Sequence, residues 1–167
     1  MSPWRLSRTL AAVTNEWKAR VAAAVTARPA TVRLADAVVD AIVEQYTDPG
    51  DPGRDALLLI TTRAALRNAF VDTATAIENP LAAAIDQRLG DPDPPTARVL
   101  AASVAAAVRV ALQQWVRPPD TGGLVVPSGS LPDLLRAALA PLAPALDAAE
   151  DRRRRSEWPV PGECADE

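Results

Sequence analysis

The amino-acid sequence predicts an all-α fold, a bundle of about six helices. Ala, Val and Leu carry most of an apolar content of 49%, whereas aromatic residues make up only 4%, and this mixture favours helices over sheets. The apolar residues recur at helical spacing, and no stretch shows the alternation of a strand. Prolines and glycines fall between the periodic stretches. The chain of 167 residues is long enough to form one domain with a sizeable core.

The first two helices are predicted at residues 8–28 and 31–46. On the exposed side of the first, Glu16 and Arg20 stand four positions apart, which is a favourable spacing for an ion pair. The second helix ends before two Pro-Gly breaks in residues 48–53, because residues before proline avoid helical geometry.

A third helix follows the Pro-Gly breaks, and a break near Thr61–Thr62 separates it from a fourth helix that runs to about Leu89. Pro80 lies inside this fourth pattern. It removes a backbone hydrogen bond, so we expect the helix to kink or split near Asn79. Gly90 is the expected C-cap.

The longest helical pattern covers residues 96–116, after a possible cap at Asp93 and two prolines suited to a first turn. It is apolar around most of its circumference, which predicts a central helix covered on more than one side. It is not expected to span a membrane, because charged and amide side chains interrupt it. Its polar strip consists of Arg98, Arg109 and Gln113.

The last helix is predicted from Ser130 to about Ala149, with Ser130 and Asp133 resembling a capping box and with distortion at its internal prolines. Residues 1–150 are therefore predicted to form the domain, and residues 151–167 a disordered polar tail. The arginine run 152–155 could contact phosphate, but the acidic residues of the same tail favour a solubilising role.

The composition argues against an enzyme. The chain has no histidine, and its single cysteine, Cys164, lies in the polar tail without the partner that a catalytic thiol usually has. We therefore predict no catalytic residue, no metal site and no cofactor. The formal net charge of −3 is a poor match for nucleic acid. No signal peptide is recognisable, and a cytoplasmic location is expected.

The best candidate for a small-molecule pocket lies at residues 60–70, ITTRAALRNAF. They combine a helix break with arginines beside apolar side chains, and such pockets are mostly apolar with a few polar anchors. The alternative is a surface turn with solvated arginines, and Trp17 is expected first as a core residue and second as a pocket wall. The predicted pocket residues are Trp17, Ile60, Arg63, Arg67, Phe70, Thr73 and Val104.

Several motifs follow one another in a set order: LLLITTRAALRNAF, then IENPLAAAIDQRLGDPD leading into ARVLAASVAAAVRVALQQWV, then SLPDLLRAALAPLAPAL. Over residues 9–149, this order resembles the C-terminal regulatory domain of the tetracycline-repressor (TetR) family of transcription regulators. The resemblance implies a ligand-sensing domain with an effector pocket among its earlier helices. Because small-molecule pockets are mostly apolar, we expect the effector to be small and hydrophobic. The resemblance also implies a homodimer in which the last two long helices of each chain form a four-helix bundle.

For this chain, the implied dimer interface consists of Val108, Leu112, Trp115, Leu131, Leu135 and Leu142. Members of the family read DNA with an N-terminal helix-turn-helix, and we recognise none here, so DNA is expected as a partner only if that segment is missing from this chain. The alternative function is a helical interaction module that pairs with full-length regulators without binding a ligand.

Overall fold

The computed structural model describes residue 16 and residues 18–47, 64–90, 94–116 and 130–157, and within these ranges there is no strand. The predicted all-α fold is confirmed. The helices are α1 (residues 18–27), α2 (Leu34–Thr47), α3 (Ala64–Ala76), α4 (Glu78–Leu89), α5 (Pro94–Trp115), α6 (Leu131–Leu139) and α7 (Ala143–Glu157). A 3-10 turn at Ala140–Leu142 separates the last two.

Helix α5 is the centre of the bundle, as its apolar pattern predicts. It packs against α3, α4 and α6, and its buried face includes Val104, Val108 and Leu112, each 0% exposed. Among the described residues, Pro95–Trp115 is the one helix long and apolar enough to cross a membrane, with a mean hydropathy of 1.4. Since three helices of the same chain cover it, we interpret α5 as the core helix of the bundle.

The predicted split at Pro80 is confirmed. A turn at Ile77 separates α3 from α4, and Pro80 occupies the first turn of α4, where a missing N–H breaks no helical bond. Gly90 ends α4 with a φ of 56°, and its N–H donates to the carbonyl oxygen of Asp86 at 2.8 Å. A residue with a Cβ is disfavoured in this left-handed conformation, so glycine is favoured here.

The start of α6 differs from the prediction. Ser130 is the N-cap residue, but its side chain makes no capping hydrogen bond, so the expected capping box is wrong. The backbone carbonyl of Ser130 instead accepts from the N–H groups of Asp133 and Leu134, both at 3.1 Å. The Asp133 carboxylate is turned toward Arg136, at 3.5 Å.

The predicted disordered tail is wrong for residues 151–157, which continue α7. Asp151 accepts a hydrogen bond of 2.8 Å from Arg33, a residue 118 positions away. Arg153 donates to the carbonyl oxygen of Arg88, and Arg154 pairs with Glu150 at 3.5 Å. Tertiary contacts therefore hold the last two turns, and the arginines also favour the negative end of the helix.

Other predictions lie outside the described residues. These are the start of the first helix, the third helix with its break at Thr61–Thr62, the cap at Asp93, and the tail beyond residue 157 with Cys164.

Candidate functional site

Two of the predicted pocket residues lie on helices that pack together. Thr73 on α3 is half-buried, and Val104 on α5 is fully buried. Thr73 makes a side-chain hydrogen bond with Tyr46, a residue of α2 that is 5% exposed. Trp17, Ile60 and Arg63 lie outside the described residues, and so do the side chains of Arg67 and Phe70. The pocket therefore stays a prediction, with Thr73 and Val104 as its described members and Tyr46 as the partner of Thr73.

Burial of the Tyr46 phenol has a measurable consequence. Burial raises the pKa of Tyr46 to about 12, and the hydrogen bond with Thr73 acts in the opposite direction. The unfolded phenol has a pKa of about 10, so only the unfolded state loses this proton between pH 10 and 12. The stability contributed by neutral Tyr46 is therefore complete below pH 10 and is lost as the pH rises through about 12.

We expect a tyrosinate titration followed at 295 nm to have its midpoint near pH 12 in the folded protein. Tyr46 is the chain's single tyrosine, so the signal belongs to one residue. In concentrated urea the midpoint should fall to about 10. A midpoint near 10 under both conditions would show that the phenol is solvated in the folded protein.

A buried ion cluster joins α4 and α7 to the connection between α1 and α2. The Arg88 side chain is 9% exposed and the Glu150 side chain 7%, and their charged groups lie 3.8 Å apart. Arg88 also donates to the carbonyl oxygens of Arg28 at 2.9 Å and Val32 at 2.8 Å. Glu150 accepts from the backbone N–H of Leu34, the first residue of α2, at 3.1 Å. These bonds fix the end of α1 and the start of α2 on α4 and α7.

Arg33 extends the cluster toward the solvent. It pairs with Asp151 at 2.8 Å and with Asp147 at 3.3 Å. Arg33 lowers the pKa of Asp151, and Asp151 and Asp147 raise the pKa of Arg33. The contribution of Asp151 to stability is therefore present above its unfolded pKa and is lost as the pH falls through its lower, folded pKa. Both partners are partly exposed, so solvent weakens the pair.

The residues predicted for the dimer interface divide into two groups. Val108, Leu112, Leu131 and Leu135 are 0–6% exposed in a single chain, where α5 packs on α6. Trp115 and Leu142 are half-buried beside the same core. The first four side chains therefore have little surface left for a partner, and the interface between two chains stays a prediction.

A second apolar row runs along α5 on its exposed side. Val99 is 63% exposed and Val110 is 54% exposed. They are separated by 11 residues, about three helical turns, so they lie on the same face. We call this row, Val99, Ala102, Ser103, Ala106 and Val110, the outer face of α5. A groove of about 330 Å³ begins at Val99 and is lined on the side of α7 by Ala145 and Ala148.

The sequence gives weak signals for the cluster and for the outer face. Arg88 and Glu150 look like ordinary charged residues near helix ends, because the partners that bury them are distant in the chain. The outer face belongs to the same apolar pattern as the core, so periodicity alone does not separate the two.

Comparison with known proteins identifies the family. No curated protein and no solved structure is significantly similar to the chain. A family model described as the MftR C-terminal domain matches residues 29–147, which is most of the chain and extends from before α2 into α7. The match agrees with the all-helical fold and with the motif order noted in the sequence. The chain therefore belongs to the TetR family of transcription regulators, as a C-terminal domain of the MftR type.

Proposed function

We propose that this chain is the sensing domain of a cytoplasmic TetR-type regulator, which forms a homodimer and binds a small, hydrophobic effector. Domains of this family typically dimerise and bind small-molecule effectors, and they are not enzymes. The proposal assigns the effector to the region around Tyr46, Thr73 and Val104, because Tyr46 of α2 contacts Thr73 of α3 and α3 packs on α5.

The outer face of α5 supports dimerisation most directly. Among the described residues, Val99 and Val110 are the large apolar side chains that remain exposed. On the outer face, the residues between the two valines are small, so the backbone of a second helix can approach closely; they are Ala102, Ser103 and Ala106. The groove between α5 and α7 continues this surface. An arrangement of α5 and α7 against the same helices of a second chain would cover both valines and form an isologous four-helix bundle.

This arrangement moves the proposed contact away from Val108 and Leu112. Those side chains hold α5 within its own chain, whereas Val99 and Val110 point to solvent. The two sets lie on different sides of one helix, which is how α5 can be a core helix and an interface helix at once.

We expect Val110→Glu to convert the dimer into single chains. A carboxylate buried in an apolar interface loses its hydration without gaining a partner. Sedimentation equilibrium should give a mass of 17.6 kDa for the variant and twice that value for the wild type. The variant should keep the helical circular dichroism of the wild type, because Val110 is 54% exposed in the single chain.

Ala83→Glu is the matched control, because it adds the same carboxylate at an exposed position of α4. This control should remain a dimer. A Val110→Glu protein with the wild-type mass would contradict the proposed interface, and a wild type that stays at 17.6 kDa at all concentrations would contradict dimerisation itself.

Pairing with a full-length regulator, without any ligand, is the second candidate, since the outer face serves both functions. N-phenyl-1-naphthylamine, a neutral apolar fluorophore, separates them. Saturable binding of one fluorophore per chain supports the sensing domain. Absence of saturable binding, with the dimer intact, supports the pairing module.

A further inference from the structure

A cavity of about 300 Å³ lies between α1 and α2. It is lined by Arg20 and Ala24 of α1 and by Ala41, Glu44 and Gln45 of α2. The alanines supply an apolar wall, and the exposed side chains of Arg20 and Glu44 lie on the solvent side. The volume is at the lower end of the range for small-molecule pockets, roughly 300–1,000 Å³. The cavity therefore suits a small molecule, or one end of a larger one.

Gln45 is the unusual residue of this cavity. It lies on the buried side of α2 and is 6% exposed, one turn after the buried Ala41. Its Nε2 group has no hydrogen-bond partner in the described part of the chain. Buried polar groups in folded proteins almost always have a partner. A methionine would fill a similar volume without leaving a donor unsatisfied, so Gln45 supplies an unused N–H donor among the residues that line the cavity.

The charges around Gln45 indicate which chemical group of a bound molecule suits its Nε2 donor. Arg20 pairs with Glu16 at 2.8 Å, and Arg28 pairs with Glu44 at 2.8 Å. These two pairs carry no net formal charge. The cavity thus combines the unused N–H donor of Gln45 with charges that are paired, which suits a carbonyl or carboxylate oxygen and disfavours an ammonium group.

We propose that the Nε2 group of Gln45 donates a hydrogen bond to a carbonyl or carboxylate oxygen of a small molecule bound between α1 and α2. Ala24 and Ala41 pack against the apolar part of that molecule next to the oxygen. The inference rests on the proposed sensing function, because it assigns the polar end of the effector. Gln45 precedes Tyr46 on α2: Gln45 lines the cavity beside α1, and Tyr46 contacts Thr73 on α3.

Three six-carbon probes with the full-length chain test the chemistry of the bound group. Hexanoate and hexanamide both present the required oxygen, whereas hexylamine presents an ammonium group in its place. In isothermal titration calorimetry we expect at least one of the oxygen probes to bind and hexylamine not to bind. Tighter binding of hexanoate would identify a carboxylate, and tighter binding of hexanamide a neutral carbonyl; either result supports the proposal.

Gln45→Met tests the role of the amide, and Gln87→Met, at an exposed position of α4, is the matched control. We expect Gln45→Met to weaken binding of the oxygen probes by about tenfold or more and Gln87→Met to leave it unchanged. Without any probe, Gln45→Met should raise the Tm by about 2–4 °C, because an unsatisfied buried donor is removed. This second readout also shows that the variant folds.

Three results would overturn the inference: equal probe binding by wild type and Gln45→Met, binding of hexylamine as tight as that of the oxygen probes, or a Tm lowered by Gln45→Met. The last would mean that the amide has a structural partner in the free protein. Saturable binding of N-phenyl-1-naphthylamine together with any of these results would leave the sensing function standing and reject only the role of Gln45. Loss of both kinds of binding would reject the sensing function as well.

Discussion

Replacement of Arg88 by methionine is expected to lower the free energy of unfolding by about 3–5 kcal/mol, the range for removing one partner of a buried ion pair. Three backbone carbonyls lose their donor: those of Val25 at 3.2 Å, Arg28 at 2.9 Å and Val32 at 2.8 Å. Glu150, whose side chain is 7% exposed, keeps its charge and loses a buried counterion. Urea unfolding followed by circular dichroism measures the change through the shift in midpoint at constant m.

Arg136→Met is the control for this experiment. Arg136 lies on α6, its side chain is 56% exposed, and it pairs only loosely with Asp133 at 3.5 Å. Its replacement should change the free energy of unfolding by no more than about 0.5 kcal/mol. If Arg88→Met were equally mild, the buried cluster would contribute little to stability, and the positions of α1 and α2 would depend on apolar packing instead.

The second large effect is expected at Leu112, which is 0% exposed on α5. Leu112→Ala should lower the free energy of unfolding by about 2–5 kcal/mol, the range for a buried leucine whose removal leaves a cavity. Because the side chain is buried within one chain, the loss should be the same at every protein concentration. Unfolding midpoints across a dilution series measure this.

Val110→Ala is the contrasting variant on the same helix, because Val110 is 54% exposed in a single chain. At concentrations where the wild type is dissociated, it should alter stability by no more than about 0.5 kcal/mol. At higher concentrations it should reduce the rise in midpoint that dimerisation produces. A concentration-dependent loss for Leu112→Ala would instead place Leu112 in the interface, as the sequence interpretation has it.

The sequence predicts the helices well wherever a local signal marks their ends. Pro80, Pro94 and Gly90 act within a turn of their own positions, so the split, the start of α5 and the end of α4 follow from nearest neighbours. Residues 151–157 have no such signal. Their helix depends on Arg33, which is 118 positions from Asp151, and a charged segment without an apolar stripe is otherwise typical of a solvated tail.

The candidate sites are less accessible to sequence analysis because they depend on which faces meet. The apolar pattern of α5 predicts that the helix is covered on several sides, but it does not say which element covers each side. In the fold, Val108 is buried within its own chain, whereas Val110 is exposed. Gln45 is polar, so a pattern of apolar residues leaves it out, although it occupies a buried position on α2. Its burial and its unpartnered Nε2 group are visible only in the folded structure.

The hydrogen bond between Glu150 and the N–H of Leu34 also affects the order in which contacts form during co-translational folding. These residues are 116 positions apart, so α2 leaves the ribosomal exit tunnel long before Glu150, the partner of its first residue, has been translated. Helices α3, α4 and α6 pack on α5 without α7, but the start of α2 lacks the carboxylate of Glu150 until α7 emerges. Completion of α7 therefore supplies the last contact at the start of α2, whereas the end of α1 is already bonded to Arg88 of α4.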